Sequence, residues 1–209
     1  MQRFFYLVRQ AIACCLILLS SLSSVVAKAD SYGHYPPKWH NSKFTVEVAE
    51  NSTRFSFDTL SPVLPDGSPA YGNPFVTQGY IYPADTLKDG DSGVDALGNP
   101  LYPEKVIGEW TCRGVFVGEG MATLSGPVVN TTQLFSFYKT PGYDPAKLAK
   151  ATTVVTEGVE LIDIGVPVSR AITGGTGRFS RSRGEVQQTL LGFSDSFGVM
   201  LRIKFRAYR

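Results

Sequence analysis

The end of the chain carries the clearest pattern of apolar and polar positions in the sequence. From residue 199 to residue 208 two sets of side chains alternate without interruption, and one set is wholly apolar. That apolar set comprises Val199, Leu201, Ile203, Phe205 and Ala207. A two-residue period with one apolar face is typical of a half-buried antiparallel β-strand. The sequence therefore predicts a final strand whose apolar face covers a core.

Weaker alternation predicts strands along most of the remaining chain. The runs that carry it are residues 43–49, 54–60, 75–82, 106–117, 131–138, 152–164 and 183–193. Residues 51–52 predict a turn between the first two runs. The Gly-Gly-Thr-Gly run at residues 174–177 predicts a sharp reversal between strands, because glycine adopts positive φ without steric cost. Only residues 145–150, capped by Asp144, predict a helical turn, so the pattern indicates an all-β chain.

The first 29 residues have the parts of an export signal. Two arginines supply a positive start, residues 11–19 are apolar, and Ala27-Lys28-Ala29 offers a small-x-small cleavage site. The alternative is a transmembrane anchor, but serines interrupt the apolar run well short of the roughly 20 residues that a spanning helix needs. We therefore expect a secreted or periplasmic protein without a stable membrane anchor.

Cleavage of that signal leaves an extended lead-in over residues 30–42 and a single domain over residues 43–209. Cys112 is the only cysteine in these two segments, so we expect no internal disulfide. Packing and hydrogen bonding must then hold the domain together. A closed β-sheet suits this requirement because closure leaves no unpaired strand edges.

The sequence offers no motif for a metal, a cofactor or a nucleophilic triad. The two histidines, His34 and His40, lie in the lead-in with no cysteine, aspartate or glutamate between them, which disfavours both a zinc site and a protease-like triad. The glycines at residues 174–177 lack the third glycine and the helix of a dinucleotide-binding loop. Residues 83–103 are a long polar connection, and its acidic run at residues 89–95 lacks the later ligands of a helical-hand calcium loop, so we expect a solvated loop there. We therefore expect neither a cofactor nor a bound metal.

Charge is nearly balanced, at a formal +2, but basic residues gather toward the end of the chain. They are Arg170, Arg178, Arg181, Arg183, Arg202, Lys204, Arg206 and Arg209. No ladder of aromatic residues interleaves with them, as it would in a surface that binds single-stranded nucleic acid. We therefore expect a solvated basic face and no nucleic-acid partner.

One segment resembles two known protein families. Residues 171–179 read Ala-Ile-Thr-Gly-Gly-Thr-Gly-Arg-Phe, and Arg183-Gly184-Glu185-Val186 follows shortly afterwards. This segment resembles the late turn and strand of plant allene oxide cyclases and, equally, of dirigent proteins. The resemblance implies the fold that both families share, an eight-stranded antiparallel up-and-down β-barrel, and a homo-oligomer such as a trimer or dimer. The resemblance covers roughly forty residues, so it supports an expectation about the fold more than one about the substrate.

The resemblance also implies two catalytic residues, Asp58 and Arg183. Residues 55–60 resemble the first barrel strand of both families, in which an acidic residue at the position of Asp58 points into the cavity. Arg183 matches the arginine of the dirigent Ala-Arg-Gly step, where the cyclases have tyrosine. Our hypothesis is that Asp58 donates a proton or stabilises a cation and that Arg183 orients the substrate. The alternatives are that Asp58 caps the next turn and that Arg183 forms an ion pair at the rim or between strands.

Four further residues are expected to bind substrate: Phe57, Trp110, Cys112 and Phe116. The last three share one face of the run at residues 106–117 with glycines, and a tapered barrel interior needs such a mixture of large and small residues. Phe116 occupies the position of a pocket residue that is tyrosine in dirigent proteins and cysteine in the cyclases. The alternative for these three residues is plain core packing.

Two functions of different class follow from these expectations. In the first, an exported barrel guides the cyclisation, isomerisation or stereoselective coupling of a small hydrophobic or phenolic molecule. An apolar cavity with one carboxylate and one guanidinium can do this without a nucleophile or a metal. In the second, a non-catalytic barrel binds a hydrophobic ligand or serves as a structural module in an assembly.

Overall fold

The computed structural model describes residues 42–87, 91–118 and 127–208. The predicted export signal, both histidines and the lead-in up to residue 41 lie outside the described residues. Eight strands make up the fold. They are β1 (Ser42–Phe57), β2 (Pro74–Pro83), β3 (Gly108–Phe116), β4 (Val128–Phe137), β5 (Thr152–Leu161), β6 (Pro167–Gly175), β7 (Arg183–Phe193) and β8 (Val199–Tyr208).

The eight strands form one closed antiparallel barrel. Each strand pairs with the next one in the chain, and β1 also pairs with β8. Val46 shows the closure, because it lies opposite Pro83 on one side and Ile203 on the other. No strand is therefore left with an unpaired edge, which lets a single sheet bury its own core. The expected eight-stranded up-and-down barrel is confirmed.

The final alternating strand fills one end of the barrel interior with its apolar side chains. Ile203 and Phe205 of β8 are almost fully buried. The Phe205 ring stacks on Phe44 of β1 at 4.4 Å between centroids and meets Phe135 of β4 edge-on at 5.1 Å. Phe179 enters from the turn between β6 and β7 and packs against Phe137. This phenylalanine cluster closes the end of the barrel where β8 ends.

The predicted turn at residues 51–52 is wrong, because β1 continues through it. Asn51 pairs with Gln78, whereas Ser56 pairs with Val76, so the intervening residues form an irregularity within one strand. The Asn51 side chain accepts hydrogen bonds from the Thr53 amide and hydroxyl and donates one to the Gly98 carbonyl at 2.8 Å. The polar residues that suggested a turn therefore stabilise a bulge.

The long connection between β2 and β3 covers the outer surface of the barrel. Its apolar side chains Leu87, Val94 and Val106 are buried against the outward faces of β1, β2 and β8. Tyr80 and Tyr82 donate their hydroxyl protons to the carbonyls of Gly98 and Gly93, at 2.8 and 2.7 Å. The expectation of a solvated loop is wrong for Leu87 and Val94, since both belong to a second, smaller core on the outside of the barrel.

Short 3₁₀ turns occupy the positions where the sequence predicted a helical turn and a chain reversal. Pro145–Lys150 forms one, and the Asp144 side chain caps it by accepting a hydrogen bond from the Ala146 amide. Gly177–Phe179 forms another, immediately after β6 ends at Gly175. Gly177 has φ of +57°, in the left-handed region that glycine occupies without strain. Both predictions are confirmed.

Candidate functional site

A cavity of about 430 Å³ opens at the barrel end opposite the phenylalanine cluster. It lies where β1, β3, β5 and β7 finish and where β2 and β8 begin. Most of its walls are apolar, and its aromatic members are Phe55, Phe75, Trp110, Phe116, Phe193 and Phe197. A cavity of this volume in an eight-stranded barrel has room for one small ligand.

One wall of the cavity holds a carboxylate with an unusually complete set of partners. Glu160 of β5 accepts hydrogen bonds from the side chains of Thr131 and Gln133 of β4 and Gln188 of β7; the two glutamine amides donate at 2.8 and 2.7 Å. Gln133 also donates to the Gln188 side-chain oxygen at 2.9 Å. Arg170 of β6 places its Nη1 3.3 Å from Glu160 Oε1. We call these five residues the Glu160 cluster.

Arg170 is the buried positive charge of that cluster. Only 2% of the residue is exposed. Its Nη1 donates to the carbonyls of Gly158 and Val159, and its Nη2 donates to the carbonyl of Thr131 at 3.1 Å. Gly158 makes room for it, because a Cβ at that position would lie 3.2 Å from the Arg170 side chain. Arg170 therefore balances the Glu160 charge from within the wall.

A second carboxyl group, that of Glu50, lines the same cavity from β1. One of its oxygens accepts a hydrogen bond from the Thr77 hydroxyl, and the other accepts one from the Val199 amide at 2.6 Å. Burial raises the pKa of Glu50, and the negative charge of Glu160 raises it further, whereas its two hydrogen bonds act in the opposite sense. No basic side chain is bonded to Glu50 among the described residues, so the two carboxyl groups of the cavity have different surroundings.

The structure places Asp58 outside the cavity, in contrast to the expected inward orientation. Asp58 follows the last residue of β1, and its carboxylate is fully exposed. It accepts hydrogen bonds from the Leu60 amide at 2.9 Å and from the Ser61 hydroxyl at 2.7 Å. These bonds lower the pKa of Asp58, the Ser61 bond most of all. The arrangement is the turn cap that the sequence offered as the alternative.

Arg183 lies at the other end of the barrel from the cavity. It is the first residue of β7 and pairs with Tyr208, near the end of β8. Its side chain is exposed, and its Nη1 donates to the Ser182 carbonyl at 3.1 Å. The structure therefore does not bring Arg183 and Asp58 together, because they belong to opposite ends of the strands.

Three of the four expected substrate-binding residues line the cavity. They are Trp110, Cys112 and Phe116, which share the inward face of β3 as the alternation predicted. Burial raises the pKa of Cys112 well above its usual range, and the Cys112 thiol lies 3.5 Å from Glu160 Oε1. Phe57 is not among the lining residues, and its ring lies 6.1 Å from that of Phe55 at the rim. Whether the three bind a substrate stays a prediction.

Sequence reasoning missed Glu50, Glu160 and Arg170. The signal for Glu50 was the alternation of the first run, since Val46, Val48 and Glu50 share one face. Arg170 was included in the basic face, although it shares its face of β6 with the buried Ile172. Extending the two-residue period through charged positions would have placed them inside the barrel.

Two general features of the described residues bear on the site. No three histidine, cysteine, aspartate or glutamate side chains converge in a metal-binding arrangement within residues 42–87, 91–118 and 127–208. Within the same ranges, no helix has the length and apolar character to cross a membrane.

Comparisons with known proteins bear on the fold. No protein-family model and no curated protein matches the sequence. The pterocarpan synthase dirigent protein PsPTS1 is similar in structure, with a TM-score of 0.56 and 11% identity over 83% of this chain and 98% of that chain. The pterocarpan synthase dirigent protein GePTS1 has a TM-score of 0.52 and 12% identity over 87% of this chain and 100% of that chain.

A pyocyanin demethylase gives a weaker match, with a TM-score of 0.46 and 15% identity over 78% of this chain and 98% of that chain. The two dirigent structures align over nearly their whole length with TM-scores above 0.5. They confirm the fold implied by the resemblance at residues 171–186. The chain therefore has the eight-stranded barrel fold that these dirigent proteins have.

Proposed function

We propose that the barrel binds a small hydrophobic molecule in its cavity and guides its cyclisation, isomerisation or stereoselective coupling. The observation that supports this most is the presence of two carboxyl groups with different surroundings in one apolar cavity. Glu160 is charge-balanced by Arg170, whereas Glu50 has only a hydroxyl and an amide as partners. Paired acidic groups whose environments separate their roles are a recurring basis of acid catalysis.

Glu50 is the proton donor in this proposal. A carboxyl group whose pKa is raised by burial keeps its proton closer to neutral pH, which a general acid requires. The Glu160 carboxylate, held in place by the rest of its cluster, stabilises positive charge that develops on the substrate after protonation. In this proposal Glu50 is the acid and Glu160 stabilises the cation, the two roles that the resemblance suggested for Asp58.

The cavity walls supply the conformational control. Rings on several strands, among them Phe75, Trp110 and Phe116, confine a flexible substrate to a few shapes. Holding reacting atoms in one arrangement lowers the entropic part of a barrier and selects one stereochemical outcome. The fold neighbours PsPTS1 and GePTS1 are described as pterocarpan synthases, and this motivates ring closure as the first reaction to test.

A non-catalytic ligand carrier is the second candidate. It is favoured by the near-complete burial of Trp110 and Cys112 and by the internal hydrogen bonding of the Glu160 cluster, both of which also suit a binding site without chemistry. Export, assembly into a trimer or dimer, and the expected lack of a nucleic-acid partner, membrane anchor and cofactor stay predictions under both candidates.

Native mass spectrometry of the purified protein and chiral chromatography of any small molecule extracted from it test the proposal. We expect that the extracted molecule, returned to fresh protein, is converted to one stereoisomer of an isomeric product. Glu50→Gln should slow this conversion by about 10²- to 10⁴-fold, and Glu157→Gln, on the outer face of β5, should not. Equal rates in wild type and Glu50→Gln would contradict the acid role. Recovery of the molecule unchanged from the wild type would support the carrier.

A further inference from the structure

We infer that the cavity selects hydrophobic molecules that carry a positive charge, such as protonated amines, and rejects carboxylates of the same size. The inference rests on the proposed ligand-binding function and narrows its ligand class. Three observations support it: the acidic side chains that face the cavity, the position of Arg170 behind the cavity wall, and the aromatic rings that line the walls.

Among the described residues, the side chains at the cavity that can carry charge near neutral pH are acidic. The described lining residues include two carboxyl groups, those of Glu50 and Glu160, and no lysine, arginine or histidine. Residues 119–126, which the structure does not describe, contain no basic residue either. An anionic ligand brought into this low-dielectric space would meet like charge without a compensating partner.

Arg170 is a buried cation behind the cavity wall, and the hydrogen bonds of its terminal nitrogens keep those atoms from binding a ligand. Its two terminal nitrogens are engaged by three main-chain carbonyls and by Glu160. Its side chain is fully buried, whereas the Glu160 side chain is 12% exposed. The carboxylate of this ion pair therefore faces the cavity, and the guanidinium lies behind it.

The walls of the cavity suit a cation as well. Phe75 lies between Phe55 and Phe116, with ring centroids 5.8 and 5.2 Å away, and Trp110 also lines the space. Aromatic faces attract cations through their quadrupoles, and a combination of rings and carboxylates is how proteins recognise organic ammonium groups. Two carboxyl groups fall short of the oxygen ligands that a hard metal ion prefers, so the occupant is an organic cation whose body fills the apolar volume.

Isothermal titration calorimetry at pH 7 with three ligands on one ring system tests this directly. The ligands are 2-naphthylmethylamine, 2-naphthalenemethanol and 2-naphthoate, which are cationic, neutral and anionic. We expect the amine to bind roughly tenfold or more tightly than the alcohol and the carboxylate not to bind. Two samples are suitable: the complete chain, and the chain from which the predicted export signal has been removed.

Two variants and one control locate the selectivity. Glu160→Gln removes the carboxylate but leaves Arg170, so the amine should lose its advantage and naphthoate should begin to bind. Glu50→Gln removes the second acidic group, whose ionised form a bound ammonium favours. It should therefore lower the amine affinity less than Glu160→Gln does and should not let naphthoate bind, and it is informative even if Glu160→Gln proves unstable. Glu157→Gln removes a carboxylate from the same strand on the outer face and should change none of the three affinities.

The outcomes separate this inference from the proposed function. Equal binding of amine and alcohol, or preferential binding of naphthoate, would overturn the charge selectivity while leaving a hydrophobic binding cavity in place. Failure of all three ligands to bind would overturn both the selectivity and the proposed binding of small hydrophobic molecules.

Discussion

Arg170 and Glu160 form an ion pair inside the barrel, with 3.3 Å between Nη1 and Oε1. The pair joins neighbouring strands β5 and β6 and is tied to β4 and β7 through the two glutamines of the Glu160 cluster. Buried pairs of this kind offset a large desolvation cost only when both partners are present and hydrogen-bonded. The stability of the barrel and the chemistry of its cavity therefore depend on the same residues.

Removing one member of this pair should destabilise the protein more than removing both. Arg170→Met leaves the Glu160 charge buried without its partner and should lower the free energy of unfolding by about 3–5 kcal/mol. The double variant Arg170→Met with Glu160→Gln leaves no uncompensated charge and should recover part of that loss. Urea denaturation of the wild type, the two single variants and the double variant measures the difference. A double variant whose loss of stability relative to wild type equals the sum of the two single losses would show that the residues do not interact.

Glu50 should make the protein less stable as the pH rises. Because burial raises its pKa above the ordinary 4.5, the folded state holds the proton more tightly than the unfolded state. Its contribution is fully present below that ordinary value and is lost as the pH rises through the pKa of the folded state. Glu50→Gln, which cannot ionise, should therefore gain thermal stability relative to wild type between pH 4 and pH 8. Thermal unfolding across that range checks the direction of this effect, with a variant of an exposed glutamate, Glu185→Gln, as the control. A stability gain of Glu50→Gln that grows as the pH falls would contradict the prediction.

Asp58 should matter to its turn and not to the cavity. Asp58→Ala removes the hydrogen bonds to Leu60 and Ser61, so a small fall in the melting temperature is expected. The affinity for 2-naphthylmethylamine should stay within about twofold of wild type, because a screened, exposed charge outside a cavity contributes little to binding there. A loss of affinity as large as that of Glu160→Gln would restore the role that the sequence suggested for Asp58.

The second, smaller core, which the connection between β2 and β3 forms on the outside of the barrel, should contribute measurably to the stability of the protein. Tyr82 is buried, and its hydroxyl donates to the Gly93 carbonyl at 2.7 Å. Tyr82→Phe removes this hydrogen bond and leaves the Gly93 carbonyl with the Leu101 amide as a donor, so it should cost about 1 kcal/mol in the free energy of unfolding. Tyr71→Phe, at a ring that is mostly exposed, is the matched control and should be neutral. If both variants unfold at the same denaturant concentration as wild type, the connection between β2 and β3 does not stabilise the barrel.

The alternation of apolar residues predicted most of the strands and the inward faces of β3 and β8, but it divided β1 into two runs and did not include β6. The apolar set of β8 and the inward face of β3, with Trp110, Cys112 and Phe116, lie inside the barrel as expected. Closure into a barrel came from the resemblance at residues 171–186, because alternation within a strand does not specify which strands pair. The bulge in β1 could not be read from the sequence, since Asn51 and Ser52 are equally suited to a turn and to a bulge.

The polar part of the site was harder to predict for a physical reason. A charged residue is usually exposed, so Arg170 was assigned to the solvated basic face and Glu160 was not considered as a site residue. The burial of Glu160 and Arg170 depends on each other and on Gln133 and Gln188. These four residues lie on four different strands. Such a network forms only when barrel closure brings the four strands around one interior. No local pattern in the sequence therefore predicts it.

Carboxyl-selective NMR of the protein labelled with ¹³C at the glutamate side-chain carboxyl carbon tests the central claim most directly. Resonances of Glu50 and Glu160, assigned with the two glutamine variants, are followed while 2-naphthylmethylamine is added. A ligand held between these groups should shift both resonances and leave those of Glu157 and Glu185 in place. Unchanged Glu50 and Glu160 resonances at saturating ligand, or equal shifts at all four glutamates, would contradict a binding site inside the barrel.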